Sequence, residues 1–292
     1  KFLKSIFHAI DKVTGGILGI LFRAVKSFSE ERGSEASASL AYYAFFSIFP
    51  MLLVFIVVAS FFVDPVMIRT ELLNILQDTL PGAESVIIEN IEQVLEERGQ
   101  VTLIALVSLT WSATGVFNNL AKNINRAFPK ADNPNFITGR LLGFLMFLGL
   151  GLMMVLSLGA SILFKLISDY DLQINGRLLQ ETFLWQIGYY LVPVIIALLM
   201  FWAIYQWVPM INVSRKASLL GGLFTGVSWE VLNHGFSWYL SSGFSRYNLV
   251  YGSVGTIVAL LFWIYLTGML VLVGAHLTAS FHNTFTKSND VQ

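Results

Sequence analysis

YNLVYGSVGTIVALLFWIYLTGMLVLVGA, from Tyr247 to Ala275, runs without a charged side chain. A hydrocarbon layer about 30 Å thick is crossed by roughly 20 residues of helix, and this run exceeds that length. The pattern recurs along the chain. Leu40–Val63, Gly99–Ala121, Leu141–Phe164 and Thr182–Ser214 also lack charge, and Arg215 to Arg246 encloses a further apolar span interrupted by Glu230. The expected fold is all-α: a polytopic membrane protein with six transmembrane helices near 38–63, 101–121, 141–165, 183–208, 217–241 and 251–281.

Composition points the same way. Hydrophobic residues make up 55% of the 292 and charged residues only 12%, about half the share in soluble domains. Lipid-facing helices need no polar face, so the apolar excess does not demand a very large core. A net charge of zero gives no whole-chain case for nucleic-acid binding. The absence of cysteine excludes disulfides, zinc thiolates and thiol catalysis. Seven tryptophans and ten tyrosines suit the membrane interface. The charge-dense opening residues read as lacking a cleavable leader, and a start at Lys1 leaves room for residues ahead of it.

Charge asymmetry sets an expected orientation. Six spans put both termini on one side with the 122–140 and 209–216 loops. That side holds thirteen basic residues, against five on the other: Arg69, Arg98, Lys165, Arg177 and Arg246. The positive-inside bias makes both termini cytoplasmic. The expected domains are a cytoplasmic amphipathic segment 1–37, a transmembrane domain 38–281 and a cytoplasmic tail 282–292. Residues 2–13 carry Phe2, Leu3, Ile6, Phe7, Ile10 and Val13 on one face, as an interfacial helix or one packed under the bundle would. Residues 64–99 read as an extracytoplasmic helical hairpin broken at Pro81-Gly82.

Polar side chains within hydrocarbon are costly, so their spacing reports inward faces. Ser39, Tyr43 and Ser47 fall four apart in the first span, with Pro50 expected to kink it. Ser108, Ser112, Gly115, Asn119, Lys122 and Arg126 stripe the second, flanked by Asn118, Asn123 and Asn125. Gly226, Glu230, Asn233 and Ser237 line the fifth. Each stripe has a plainer reading. Serines and glycines four apart serve close helix packing, as do the pairs Gly139–Gly143 and Gly222–Gly226. The asparagine cluster also suits a helix end emerging into water. Glu230, a carboxylate inside a span, needs a cation, a proton or water, and Arg246 or Lys216 would equally supply an ion pair. His276 stands in the last span, as a packing residue or a titrating one.

Three segments carry a family resemblance: LAYYAFFSIFPMLL (40–53), WSATGVFNNLAKNINRAF (111–128) and WEVLNHGFSWYLSSGFSRYNLVYGSVGTIVALLFWIYLTGMLVLVGAHLTA (229–279). Over most of its length the chain resembles the YihY/BrkB family of bacterial membrane proteins. The resemblance implies a six-helix inner-membrane protein with cytoplasmic termini, matching the charge argument. Members commonly carry a Gly-Ala-Glu sequence where this chain reads Gly274-Ala275-His276, so a role tied to that acid does not transfer. Some members were once labelled ribonuclease BN; others are linked to serum resistance and to movement of lipid or anionic cargo.

The expected function is therefore transport. Polar stripes on several spans suggest a cavity for an anionic or amphiphilic cargo, lined by Tyr43, Ser47, Pro50, Asn119, Arg126, Glu230, Asn233, Arg246, Tyr251 and His276. No Walker motif is present, so nucleotide hydrolysis by this chain is not expected. No catalytic, metal or cofactor site is expected, since the four histidines form no nuclease or metalloprotease spacing. Membrane lipids and an anionic small molecule or lipid are the expected partners, with no nucleic acid. The Gly-x-x-x-Gly pairs permit association within or between chains. The alternative is a non-transporting scaffold for envelope assembly.

Overall fold

The computed structural model describes residues 17–59, 103–129, 131–132, 135–169, 173–174, 177–178, 183–241 and 254–289. Among them run seven helices: α1 Ile17–Glu30, α2 Gly33–Ala59, α3 Leu103–Arg126, α4 Phe136–Asp169, α5 Phe183–Trp207, α6 Arg215–Ser241 and α7 Val254–Asn289. From α2 onward each holds 24 to 36 residues, and α2 continues through Pro50 without a break. The expected 2–13 helix and 64–99 hairpin lie outside the described residues.

The six apolar stretches of the sequence fall on helices α2 to α7, and several of these helices outrun the hydropathy limits. α2 starts at Gly33, α3 continues to Arg126 and α7 to Asn289. Backbone hydrogen bonding does not stop where apolar side chains do, so hydropathy marks only part of each rod. The all-α expectation holds, with two details it did not contain, in the 1–37 segment and between α4 and α5. α1 is a separate amphipathic helix, and Gln173–Ile174 (β1) pairs antiparallel with Arg177–Leu178 (β2). α1 and α2 meet at an elbow where Arg32 takes the left-handed conformation, φ 52°. The next residue lies against the Phe28 ring, which any Cβ on Gly33 would strike.

Neighbouring helices close a ring: α2 on α3, α3 on α4, α4 on α5, α5 on α6, α6 on α7, and α7 back on α2, with α1 clamped along α7. The end carrying the α1–α2 elbow, the α3–α4 and α5–α6 loops and the close of α7 is called the proximal end below. The main apolar cluster gathers there, joining Leu40, Ile124, Phe201, Tyr205, Ala217 and Leu272.

Polarity is turned inside out relative to a water-soluble bundle. α6 buries Ala217, Ser218, Gly221, Gly222, Thr225 and Gly226, yet exposes Leu219, Leu223, Val227 and Val231. α4 exposes Leu141, Leu145, Leu148, Leu152 and Val155 along one stripe. Among the described residues two helices pass as membrane spans by length and composition, at Phe136–Met153 and Ile257–Thr286, with Val194–Trp207 a shorter apolar stretch. Only 17% and 28% of those two windows are buried, so they are not core helices of a water-soluble protein.

Small residues let helices approach closely where lipid removes the hydrophobic drive between them. Gly222 lies against the Trp202 backbone and Gly226 against Leu198, which makes the Gly222–Gly226 pair a packing face. A methyl at Gly274 would strike Thr225 Oγ1 and Tyr205 OH, while at Gly235 it would meet nothing within 4 Å. Gly274→Ala should therefore destabilise by about 1–3 kcal/mol through overpacking. Gly235→Ala should be neutral or stabilising by up to about 1 kcal/mol through helix propensity. Melting of both variants in detergent checks the contrast, and equal melting points would refute the packing assignment.

Candidate functional site

Three polar systems occupy the bundle interior. The first is a knot at the proximal end. Fully buried Tyr205 on α5 donates to the Val271 carbonyl of α7 at 2.8 Å and bonds Thr225 Oγ1 of α6 at 2.9 Å. With its one proton committed to Val271, the tyrosine leaves Thr225 as donor. Around it α6 and α7 cross antiparallel through matched Gly-x-x-x-Thr pairs: Gly221 faces Thr278, and Gly274 faces Thr225. Beside the knot, Ser218 Oγ donates to Gln206 Oε1 at 2.6 Å, and Gln206 Nε2 to the Val213 carbonyl at 3.0 Å. Buried Asn125 closes the α3 end: its Oδ1 accepts the Met210 N–H at 2.7 Å, and its Nδ2 donates to the Ala121 carbonyl at 2.9 Å.

The second system joins α2 to α3. Arg126 Nη1 donates to Asn123 Oδ1 at 3.3 Å, Asn123 Nδ2 to Asn119 Oδ1 at 2.7 Å, and Asn119 Nδ2 to Ser39 Oγ at 2.9 Å. Spacings of three and four on α3 make this a continuous amide run, each dipole aligned by the next. One face of the same seam carries Ser47 Oγ donating to the Ser112 carbonyl at 3.3 Å. Lys122, counted in the expected stripe, is exposed instead, and Ser112 contributes its carbonyl rather than a packed side chain.

The third system is a set of buried polar atoms with no hydrogen-bond partner among the described residues: Asn118 Oδ1, Asn233 Oδ1, Trp263 Nε1 and Thr267 Oγ1. They lie on α3, α6 and α7. An unmet buried donor or acceptor costs about 1–3 kcal/mol, so these positions call for water or a polar ligand.

The expected lining residues divide accordingly. Ser47 and Asn119 lie on the α2–α3 seam, exposed Arg126 bonds Asn123 of its own helix, and Asn233 belongs to the unpartnered set. Tyr43 is exposed and lies edge-on to Tyr42 at 5.7 Å. Pro50 is half-buried within α2. Glu230 has its own neighbour for company: His234 Nδ1 donates to the Glu230 carbonyl at 2.9 Å and stands 3.9 Å from its Oε2. Lys216 makes no ion pair with it among the described residues, and Arg246 and Tyr251 lie outside them. Buried His276 turns to α1, sharing a 2.9 Å hydrogen bond with Ser27 Oγ and meeting the Phe28 ring edge-on. His282 accepts the Ser214 N–H at 3.2 Å. Among the described residues no three His, Asp or Glu side chains gather as a metal-binding group.

Tyr205, Thr225, Gln206 and Thr278 were invisible as site residues because none of them belongs to a polar stripe in the sequence. The matched Gly-x-x-x-Thr spacing on two spans was the one available signal.

A family model described as virulence factor BrkB matches residues 24–292. A UPF0761 membrane protein of Pseudoalteromonas translucida is 32% identical, over 82% of this chain and 78% of its own length. One of Alteromonas mediterranea is 25% identical over 97% and 93%. A Bacillus subtilis protein named as ribonuclease-like, YfkH, is 25% identical over 87% and 92%. No solved structure matches the chain.

The knot has a direct test. Tyr205→Phe and Thr225→Val each remove the same hydroxyl pairing and should each cost about 1–2 kcal/mol. The double variant should cost less than the sum, read from denaturation midpoints in detergent. Strict additivity would show that the two hydroxyls act independently.

Proposed function

The chain belongs to the virulence factor BrkB family, and on that premise we propose that it carries an anionic or amphiphilic cargo, lipid or metabolite, across a bacterial plasma membrane. In this reading α2 to α7 are six spans and both termini are cytoplasmic. Each of the six holds at least 24 residues, or about 36 Å of helix, and the apolar stripes of α4, α5 and α6 face outward. Thirteen of eighteen basic residues fall on the terminal side, which supports the orientation.

The observation that carries transport is the set of unpartnered polar atoms on α3, α6 and α7. A bundle that only anchors itself gains nothing from them, since apolar groups of the same shape would be neutral or stabilising there. A conduit needs them, because a headgroup or hydrated anion must find donors and acceptors where hydrocarbon offers none. The amide run from Arg126 to Ser39 lies on α3 beside Asn118 and supplies a cationic end. The proximal knot closes this interior on the terminal side, as one half of an alternating cycle would. Without a Walker motif, movement would be passive or coupled to an ion gradient. We assign no enzyme activity. The ribonuclease-like name of one relative asks for cooperating acid–base groups, whereas His234, His276 and His282 are bonded separately, to Glu230, Ser27 and Ser214.

A scaffold for envelope assembly is the second reading, and the tight proximal knot favours it. Proteoliposomes separate the two. Transport predicts faster transbilayer movement of an anionic lipid or metabolite than in protein-free vesicles. Asn233→Leu and Glu230→Gln should then lower that rate about tenfold, the loss of one polar contact to a charged group, with melting unchanged or raised. Movement no faster than in empty vesicles would leave the scaffold reading standing.

A further inference from the structure

Arg140 stands one turn inside α4, half-buried against α3 at the edge of an exposed apolar face. Phe136 and Ile137 before it are 69% and 77% exposed, and Leu141 after it 56%. Its guanidinium carbon lies 4.1 Å from the centre of the Trp111 ring and 5.8 Å from that of Phe136. Nη1 donates to the Trp111 carbonyl at 3.2 Å and reaches Thr114 Oγ1 at 3.5 Å. Nε is buried without a hydrogen-bond partner, and no carboxylate among the described residues pairs with the group.

This cation is fixed in place, flanked by aromatic rings, and left without an anion on an apolar surface. Ring stacking and the carbonyl bond hold the guanidinium plane. The exposed tryptophan beside it is a side chain that favours the headgroup boundary of a bilayer, and the phenylalanine adds apolar surface. From that point the exposed stripe Leu141, Leu145, Leu148 runs along α4, the surface an acyl chain would cover. A free anion would gain the charge contact but nothing from the stripe.

We propose that Trp111, Phe136 and Arg140 form a surface site for the phosphodiester of an anionic phospholipid, its acyl chains laid along α4. The site is independent of the transport reading: a lipid held on this outer face need not cross the membrane.

The test uses the full chain in detergent, with lipid retention read by native mass spectrometry. Dioleoylphosphatidylglycerol should be retained over dioleoylphosphatidylcholine. Arg140→Gln should weaken phosphatidylglycerol binding about tenfold, the loss of a charge-assisted hydrogen bond, and leave phosphatidylcholine unchanged. Arg140→Lys keeps the charge but loses the planar fork and stacking, so it should weaken binding about threefold. It carries the test alone if Arg140→Gln does not fold. Excess inorganic phosphate should not displace the lipid. Parent-like phosphatidylglycerol binding by the folded variants overturns the site, as does displacement by phosphate.

Discussion

The close crossing of α6 and α7 depends on two glycines, each lying under a threonine of the other helix. Gly221 faces Thr278 and Gly274 faces Thr225, so no side chain keeps the backbones apart. In lipid the hydrophobic effect does little to press one apolar helix on another, and contact area must come from fit. The threonines supply more than small size. Thr278 bonds back to the Gly274 carbonyl at 2.8 Å, and Thr225 gives its proton to Tyr205. The crossing is thus apolar in shape and hydrogen-bonded at its centre, and α5 is fastened to both helices through one phenol. Remove the glycines and Tyr205 has no place to go.

The rest of the proximal end is tied to that crossing by single polar links, each reaching a backbone group that a helix end or loop leaves unpaired. Asn125 takes the Met210 N–H, His282 the Ser214 N–H, and Gln206 the Val213 carbonyl. Helix ends and loops expose such groups by geometry, and hydrocarbon or a packed interior offers no water to satisfy them. This explains why α3 ends in asparagines: they serve the α5–α6 connection and the α2 seam. An emerging helix end would instead point them at solvent.

Hydropathy located the six long helices because each carries a long run of uncharged, mostly apolar residues, whatever its tertiary contacts are. It missed α1 as a separate element, since an amphipathic helix with Arg23 and Lys26 on its exposed side reads as a cytoplasmic flank. It also could not separate faces within a run. Tyr43 shares a spacing with Ser39 and Ser47 yet is exposed, because spacing names a face but not which part of it a neighbouring helix covers. Arg140 read as one more cytoplasmic cation until the structure set it on Trp111. Tyr205 carried no signal, since a lone tyrosine in an apolar run is ordinary and its importance lies in partners from α6 and α7.

The interior contains two differently built halves. α5, α6 and α7 are joined backbone to backbone around Tyr205, with Gly222 against Trp202 and Gly274 under Thr225. α2 and α3 are joined by amides and hydroxyls, Ser39 to Asn119 and Ser47 to the Ser112 carbonyl. Contacts of the first kind resist sliding, because close-packed surfaces have few alternative fits. The second kind can exchange partners, with water or a ligand oxygen replacing an amide at little cost. The unpartnered atoms fall on both sides of that division, Asn118 on α3 and Asn233, Trp263 and Thr267 on α6 and α7. If the chain carries cargo, separation of α2 from α3 is the least expensive way to expose Asn118, since it breaks hydrogen bonds that a passing polar group can remake.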